Sequence, residues 1–312
     1  MNSIITNGIV NYGVRFEGGS NMGDNIFKIK LDRNMYPKLS IITINYNNSD
    51  GLKQTIESVL EQTCQEFEYI VIDGGSVDSS IQHILAYQNR LKYWCSEKDS
   101  GVYNAMNKGI RQAMGEYLLF LNSGDFLCDN NVLEKVIPTL SGIDIVYGDI
   151  LLKSASGETR ALIYPDKLSV KYMFKDTIGH PASFIKRSLF VNSLYSEHFK
   201  IVSDWEFFLK KIIKEEVSYK HIHLLVSVFD LNGISSQNLK LNEQERKEVL
   251  YHEFSPAVCE ELEAFYVIQE QPLYSLFVKI LNERKFQKRV RPVISCLWKI
   301  YRFLIPRFHK NV

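Results

Sequence analysis

The chain has 312 residues, of which 45% are hydrophobic and 23% are charged, and its formal net charge is +1. This length accommodates one large α/β domain with an accessory segment, and the near-neutral charge argues against a protein that coats nucleic acid. The five cysteines are scattered and never form a CxxC pair, which argues against a disulfide framework or a zinc site and for a reducing compartment.

The first predicted elements follow a weakly periodic start. We interpret residues 1–36 as an extension with one edge strand, bounded by Pro37. The run LSIITI (Leu39–Ile44) is continuously apolar and β-branched, which predicts a strand buried on both faces. Ser49 is placed to cap the helix that follows, and a second strand is predicted at Tyr69–Ile72.

The alternation of strands and helices continues toward the middle of the chain. A short strand is predicted near Tyr93, a helix over residues 105–114, and strands at Tyr117–Leu121 and Ile143–Tyr147. Because strands alternate with helices, the sequence predicts an α/β fold with a mostly parallel sheet flanked by helices.

The remainder of the chain is mixed at first and then helical. A helix is predicted from Ser203, a strand at Tyr219–Phe229, and only helices beyond residue 240. No signal peptide or membrane-spanning apolar run is visible, so we expect a cytoplasmic protein. The predicted organisation is an extension, an α/β domain in two parts (together 37–240) and a helical C-terminal extension, over residues 1–36, 37–150, 151–240 and 241–312.

Polar residues follow three of the predicted strands. The strands run into the loops Asn45-Tyr46-Asn47-Asn48, Asp73-Gly74-Gly75-Ser76 and Asn122-Ser123-Gly124-Asp125. Ligands of open α/β sheets bind outside the carboxyl ends of the strands, where glycines allow close approach and carboxylates bind a cation or a ribose. One such loop alone is ordinary turn chemistry, but three at corresponding strand ends favour a ligand site. Since neither GxGxxG nor GxxxxGK[ST] is present, neither a dinucleotide fold nor a P-loop is indicated.

Three segments in this order and spacing, PKLSIITINYNN, EYIVIDGGSVDSS and NKGIRQAMGEYLLFLNSGD, resemble the family 2 glycosyltransferases. The resemblance covers residues 37–150 well and extends loosely to about residue 235, and it is greatest to bacterial enzymes of exopolysaccharide and colanic-acid-type assembly. It implies a glycosyltransferase A-type fold, a nucleotide-diphospho-sugar donor, Mg²⁺ or Mn²⁺, and inversion at the anomeric carbon. By the same resemblance, residues 37–150 bind the nucleotide-sugar and residues 151–240 carry the acceptor side and the base.

The resemblance also implies residues that bind the donor. Tyr46 matches the aromatic residue that packs on the nucleobase, and Asp73 matches the acid that accepts from the base. Asn107 and Lys108 fall where the family has asparagine beside arginine, and lysine cannot make a bidentate phosphate contact. Asp99 resembles the donor-side loop, although a helix-capping role is equally open for it.

The metal motif of the family is reduced in this chain. The family carries two or three acids in the form DxDD, whereas Asn122-Ser123-Gly124-Asp125 keeps only the last of them. Asp125 is therefore the predicted metal ligand, with a turn-closing aspartate as the alternative. One carboxylate can suffice, because Mg²⁺ and Mn²⁺ keep several waters and take further negative ligands from the diphosphate.

The segment HFKIVSDWEFFLKKIIKEE holds the predicted catalytic base. Ser203 and Glu206 have the spacing of a capping box at the start of a helix. Without the resemblance, Asp204 would be interpreted only as an acid in the first turn that interacts favourably with the helix dipole. The family places its base in a Glu-Asp pair followed by an aromatic residue, and Asp204 matches the second acid. His180 falls where these enzymes have a histidine near the acceptor, and a structural role is the alternative. Asp149, read as a strand-end acid, is assigned to the rim of the pocket.

The C-terminal segment 279–310 contains ten Lys or Arg and one acid, Glu283, with aromatic residues between them. Basic residues are attracted to anionic bilayers, and Trp and Tyr favour the membrane interface. One hypothesis is a helix that lies on the inner membrane face, near a polyprenyl-linked acceptor. The alternative, a basic helix packed on the catalytic domain, is equally open.

The function expected from the sequence is transfer of a sugar from the donor to a hydroxyl of a growing, lipid-linked saccharide in bacterial surface polysaccharide assembly. No nucleic-acid partner is expected. Because the metal motif is reduced and serine precedes Asp204, a donor-binding protein with weak or no catalysis is the alternative. A nucleotidyltransferase is a third reading, which the lack of a glycine-rich basic phosphate loop argues against.

Overall fold

The computed structural model describes residues 36–231, 233 and 238–304. The chain divides into two compact units, Met1–Val249 and Leu250–Val312. An edge strand is expected within residues 1–36, of which only Tyr36 is among the described residues. The predicted functional division at residues 150 and 240 remains a proposal.

Within the described residues, nine strands form one sheet. In chain order they are β1 (Leu39–Asn45), β2 (Phe67–Asp73), β3 (Tyr93–Ser96), β4 (Tyr117–Phe120), β5 (Phe126–Leu127), β6 (Ile145–Lys153), β7 (Thr159–Leu162), β8 (Ser183–Lys186) and β9 (Tyr219–Asp230). Their order across the sheet is β3-β2-β1-β4-β8-β6-β9-β5, and β7 pairs with β6 beside this path.

Helices connect the strands and make up the C-terminal part of the described chain. They are α1 (Ser49–Leu60), α2 (Ser80–Tyr87), α3 (Val102–Gln112), α4 (Val132–Val136), α5 (Val170–Lys175), α6 (Ser203–Leu209), α7 (Leu239–Glu253), α8 (Pro256–Gln269), α9 (Tyr274–Asn282) and α10 (Arg284–Leu304). The predicted α/β sheet flanked by helices, with a helical C-terminal region, is therefore confirmed.

The first half of the sheet is parallel. β1 lies between β2 and β4, parallel to both, and all seven of its residues are buried, as its apolar run predicts. β3 adds to β2, also in parallel. Because these strands point the same way, the loops that follow β1, β2 and β4 meet at one edge of the sheet.

The second half of the sheet is mixed. β8 pairs antiparallel with both β4 and β6, and β9 pairs parallel with β6. The two-residue strand β5 pairs antiparallel with β9, where Phe126 lies opposite Val228. This pairing brings Asp230, at the end of β9, beside the loop that follows β4. The sequence predicted neither β5, β7 nor β8, because strands of two to four residues leave little periodicity to read.

Two predicted helix caps are wrong. The N-cap of α1 is Asn48, whose side-chain oxygen accepts from the Gly51 amide at 3.2 Å, and not Ser49. The capping box at α6 is not formed, because its N-cap is Val202 and no side chain caps it. The Ser203 hydroxyl instead accepts from the Ser196 amide at 2.6 Å.

Aromatic packing fixes helix α6 against the rest of the first unit. Trp205 is buried and donates from Nε1 to the Met173 carbonyl at 2.7 Å. The Phe207 ring stacks on Phe190 with centroids 4.4 Å apart. Burying one such side chain contributes about 1.5–3 kcal/mol, so this helix presents its first turn from a rigid base.

Candidate active site

The Asp73 carboxylate ties three strand ends together. It is fully buried at the end of β2 and accepts from Asn45 Nδ2 at 2.7 Å and from the Ser96 hydroxyl at 2.6 Å. It also accepts from the amides of Gly75 and Ser76 at 3.2 and 2.9 Å and from the Ser76 hydroxyl at 2.6 Å. The ends of β1, β2 and β3 are thereby held in a fixed arrangement. Its predicted contact with a nucleobase stays a prediction.

Tyr46 and Asp99 line the same space above Gly74. Tyr46 is 66% exposed, and a Cβ added to Gly74 would lie 3.3 Å from its ring and 2.5 Å from Asp99 Oδ2. Only glycine therefore leaves this approach open. Burial raises the pKa of Asp99, against the hydrogen bond from the Gly101 amide and the charge of Lys108. Lys108 itself forms an ion pair with Glu97 at 2.8 Å.

Asn107 points into the protein and not toward this space. Its Nδ2 donates to the Tyr195 carbonyl at 2.9 Å and to Glu197 Oε1 at 3.0 Å, and its Oδ1 accepts from the Tyr195 amide at 3.1 Å. Helix α3 thereby holds the segment that leads into α6. The structure supports a positioning role for Asn107 more directly than its predicted donor contact.

His180 links the predicted base to the predicted metal ligand. Its Nδ1 lies 3.1 Å from Asp204 Oδ2, and its Nε2 lies 3.2 Å from Asn122 Nδ2 and 3.9 Å from Asp125 Oδ2. Burial favours the neutral ring, but the hydrogen bond and charge of Asp204 outweigh it and raise the pKa of His180. A proton on Nδ1 facing Asp204 leaves Nε2 directed at Asn122 and Asp125.

Asp125 is a buried carboxylate beside a second acid. Burial raises its pKa to about 7, although the charge of His180 opposes this effect. Asp125 Oδ1 accepts from the Asp230 amide at 3.2 Å, and the negative charge of Asp230 also raises the pKa of Asp125. Sequence analysis missed Asp230, since the predicted strand stopped at Phe229. Asp230 could have been found by the same criterion as the other three loops, because it is a polar residue at the end of a strand.

This pocket suits a divalent cation. Asn122 Oδ1 is buried and has no hydrogen-bond partner within the described residues. The Asp125 carboxylate and His180 Nε2, 3.9 Å apart, are an oxygen and an imidazole donor of the kind that Mn²⁺ accepts, and Asn122 Oδ1 is a further oxygen of the same loop. The contact from Asp204 to the other nitrogen of His180 is the kind that orients metal-binding histidines. The residues present therefore fit a metal ion.

Asp204 lies in the first turn of α6 and is ionised by its neighbours. Its Oδ1 is 2.8 Å from the Tyr103 hydroxyl, which also lies 2.5 Å from the Ile201 carbonyl. Burial opposes ionisation, but the hydrogen bonds and charge of His180 and the Tyr103 hydroxyl hold the pKa of Asp204 below its usual value. An ionised carboxylate at this point can accept a proton.

Asp149 does not belong to this site. It lies within β6 and not at a strand end, and its Oδ1 accepts from the Tyr164 amide at 2.9 Å and contacts His221 Nε2 at 2.9 Å. The prediction that it lines the rim of the pocket is therefore wrong. The strand predicted to end at Tyr147 continues to Lys153, so Asp149 lies inside it.

A mixed sheet of this order, flanked by helices and with acidic and amide side chains at its carboxyl edge, has the architecture of the glycosyltransferase A-type fold. A profile of glycosyl transferase family 2 matches residues 40–197, about half of the chain. The chain belongs to this family, which confirms the resemblance and the expectation that the protein is an enzyme.

Individual relatives agree with this assignment. A Mycobacterium bovis PGL/p-HBAD biosynthesis glycosyltransferase is 29% identical over 208 residues, 64% of this chain and 80% of the relative. The structure of Staphylococcus aureus TarS 1-349 with UDP-GlcNAc matches with a TM-score of 0.51 at 19% identity, over 62% of this chain and 58% of TarS. A Pyrobaculum calidifontis mannosyltransferase with GDP-Man and Mn²⁺ matches with a TM-score of 0.56 at 13% identity, over 87% and 84% of the two chains. At these identities the solved structures show the fold alone.

Proposed function

We propose that this enzyme transfers a sugar from a nucleotide-diphospho-sugar to a hydroxyl acceptor, with inversion and with the help of a divalent cation. The observation that carries the proposal is the continuous line of contacts from Asp204 through His180 to Asp125. It joins a candidate proton acceptor to a candidate cation site, the two parts that such a transfer requires.

The donor would lie along the ends of β1 and β2. Tyr46 offers an exposed ring for stacking on the nucleobase, Gly74 leaves room beside it, and Lys108 supplies a positive charge near the same loop. Asp73 and Asp99 are the acids of this region that the resemblance assigns to the donor. Two structurally similar proteins support a nucleotide-sugar as the donor, because TarS was solved in complex with UDP-GlcNAc and the mannosyltransferase in complex with GDP-Man.

Asp125 and Asn122 Oδ1 would hold Mg²⁺ or Mn²⁺, with His180 Nε2 as a further ligand for Mn²⁺, and Asp230 adds negative charge beside them. When bound, the cation neutralises charge on the leaving diphosphate. Because most of its remaining ligands would come from the diphosphate and water, we expect the metal to bind tightly only together with the donor.

Asp204 would act as the base. As the acceptor hydroxyl oxygen attacks the anomeric carbon, the hydroxyl proton passes to the Asp204 carboxylate. The bond between the anomeric carbon and the diphosphate oxygen breaks, and its electron pair stays on the diphosphate. Attack on the face opposite the diphosphate inverts the configuration. The Tyr103 hydroxyl and His180 Nδ1 hold the two carboxylate oxygens in place, at 2.8 and 3.1 Å.

We further propose an acceptor that is lipid-linked and a role in bacterial surface polysaccharide assembly. Helix α10 carries seven of the ten basic residues of segment 279–310, and its apolar side chains include Phe286 and Trp298, which are exposed. These features support peripheral contact with the anionic inner face of a membrane. Among the described residues, no helix is long and apolar enough to span a bilayer.

A donor screen tests the proposal. Unfolding temperatures would be measured with UDP-, GDP- and dTDP-sugars, with and without Mn²⁺, followed by hydrolysis and transfer assays with the donor that stabilises the protein. We expect one nucleotide class to bind and turnover to be lost in Asp204→Asn and Asp125→Ala. Binding without turnover would instead favour the donor-binding alternative, and no binding would overturn the proposal.

A further inference from the structure

A second group of metal-ligating side chains lies at the start of β9, apart from Asp125. His221 and His223 are two residues apart on the strand, so their side chains share one face, and Asp166 faces them from the loop before α5. Asp166 Oδ1 lies 2.7 Å from His221 Nδ1 and 3.4 Å from His223 Nε2, and the three ligand atoms all lie within 4.8 Å of one another.

The His221 ring is fixed from behind. Its Nε2 lies 2.9 Å from Oδ1 of the buried Asp149, and the Tyr147 ring stacks on it with centroids 5.0 Å apart and an interplanar angle of 17°. When His221 donates Nε2–H to Asp149, its Nδ1 presents a lone pair toward Asp166. A carboxylate behind a histidine in this way is the arrangement that orients histidine ligands of metals.

The loop that carries Asp166 is held on both sides of that residue. The Pro165 carbonyl accepts from the Tyr147 hydroxyl at 2.6 Å, and the Leu168 amide donates to the Tyr219 hydroxyl at 3.2 Å. Asp166 is therefore presented to the two histidines by fixed backbone, while its own carboxylate stays accessible to solvent. The backbone on both sides of the cluster is in place before any ion binds.

A positive charge at His221 satisfies the two carboxylates that face it, and either a second ring proton or a cation at Nδ1 supplies that charge. Both of its ring nitrogens face carboxylates, Asp149 and Asp166, yet a neutral imidazole has only one N–H. An ion at Nδ1 takes the place of the second proton and is shared with Asp166. We propose that Zn²⁺ binds here to His221, His223 and Asp166, with water at the fourth position.

Donor chemistry and distances favour Zn²⁺ over Mg²⁺. Two imidazoles and one carboxylate form a common Zn²⁺ set, whereas Mg²⁺ requires oxygen ligands. Tetrahedral bonds of about 2.0–2.1 Å place ligand atoms about 3.3 Å apart. The 3.4 Å separation of Asp166 and His223 is close to this value, whereas the 2.7 Å separation of Asp166 and His221 is a hydrogen-bond distance that must lengthen when an ion binds. The Asp166 and His223 side chains are 71% and 72% exposed, which leaves room for that adjustment. The scattered cysteines argued against a zinc site, but this one uses none of them.

The ion would link the loop before α5 to β9. Its role would be structural, and it would take no part in sugar transfer. Asp230 lies at the opposite end of the twelve-residue strand β9, up to roughly 30 Å away at strand spacing. Binding is therefore expected to stabilise the fold, and to do so independently of the donor and of Mn²⁺.

The test is calorimetric titration of the full chain with ZnCl₂ after removal of metals with EDTA, together with unfolding temperatures. We expect wild type to bind one more equivalent of Zn²⁺ than His223→Ala and Asp166→Asn, or to bind it at least tenfold more tightly. Zn²⁺ should raise the unfolding temperature of wild type and not of these variants. His223 and Asp166 are exposed, so equal unfolding temperatures without metal show that the variants fold.

Two controls separate this site from others. His198→Ala removes an exposed histidine that faces one carboxylate, Glu248, at 2.9 Å, and should keep full Zn²⁺ binding. Asp125→Asn should also keep this equivalent, because it alters only the proposed donor-metal site. The proposal is overturned if wild type does not bind Zn²⁺, or if His223→Ala and Asp166→Asn bind it as wild type does.

Discussion

Replacing Asp204 with asparagine removes one charge from the centre of the site and leaves the side-chain shape nearly unchanged. In wild type, Asp204 Oδ1 accepts from Tyr103 at 2.8 Å and Oδ2 faces His180 Nδ1 at 3.1 Å. The asparagine oxygen can still accept from Tyr103, but its amide group now donates to His180 Nδ1. That nitrogen must then lose its proton, and Nε2–H points at Asp125, where a metal needs a lone pair.

Two effects of Asp204→Asn follow from this geometry. Loss of a general base lowers kcat by about 10²–10⁴. The altered tautomer of His180 weakens Mn²⁺ binding by about 10–100-fold, the usual effect of removing the partner of a metal-binding histidine. Donor affinity, measured by calorimetry without metal, should stay within threefold, because the residues proposed to contact the nucleobase, Tyr46 and Asp73, lie at the ends of β1 and β2 and do not contact Asp204.

The assay measures kcat at saturating donor and Mn²⁺, and then the Mn²⁺ concentration that gives half-maximal rate. Glu206→Gln is the matched control, since it removes a buried acid from the first turn of the same helix, where Glu206 contacts Lys210 at 2.7 Å. If Asp204 only complements the helix dipole, both variants lose about 0.3–1 kcal/mol of stability and keep their kcat. A kcat of Asp204→Asn within threefold of wild type would refute the assignment.

Three further predictions concern the metal, the donor and the membrane. Asp125→Asn should weaken Mn²⁺ binding at least tenfold in the presence of nucleotide, whereas both proteins bind Mn²⁺ weakly without it; tight binding to nucleotide-free wild type would contradict the shared site. Gly74→Ala places a Cβ 2.5 Å from Asp99 Oδ2, and relieving this steric clash costs about 1–3 kcal/mol. The donor KM should therefore rise about fivefold or more, while the α-helical content of the protein is unchanged. Phe286→Ser with Trp298→Ser should reduce flotation of the full chain with anionic vesicles and leave kcat on a soluble acceptor intact; equal flotation would count against the membrane contact.

The sequence by itself determined the parallel half of the sheet. The short, β-branched apolar run Leu39–Ile44 favours a strand buried on both faces, and parallel strands bring their carboxyl ends to one edge. Tyr46, Asp73 and Asp125 follow such strands, so their common location was readable before any coordinates. Both the residue types at a strand end and the alternation of strands with helices can be read from short stretches of sequence.

Tertiary structure decided which side chains meet. Asp125, His180 and Asp204 are far apart in the sequence, and their contacts depend on how β8 and α6 pack, which no local pattern encodes. The same holds for Asp230, which the pairing of β5 with β9 brings beside Asp125. Asn107 turned inward because the Tyr195 backbone lies within its reach. Such contacts follow from the packing of the whole chain, since side-chain direction is fixed only when distant elements close around it.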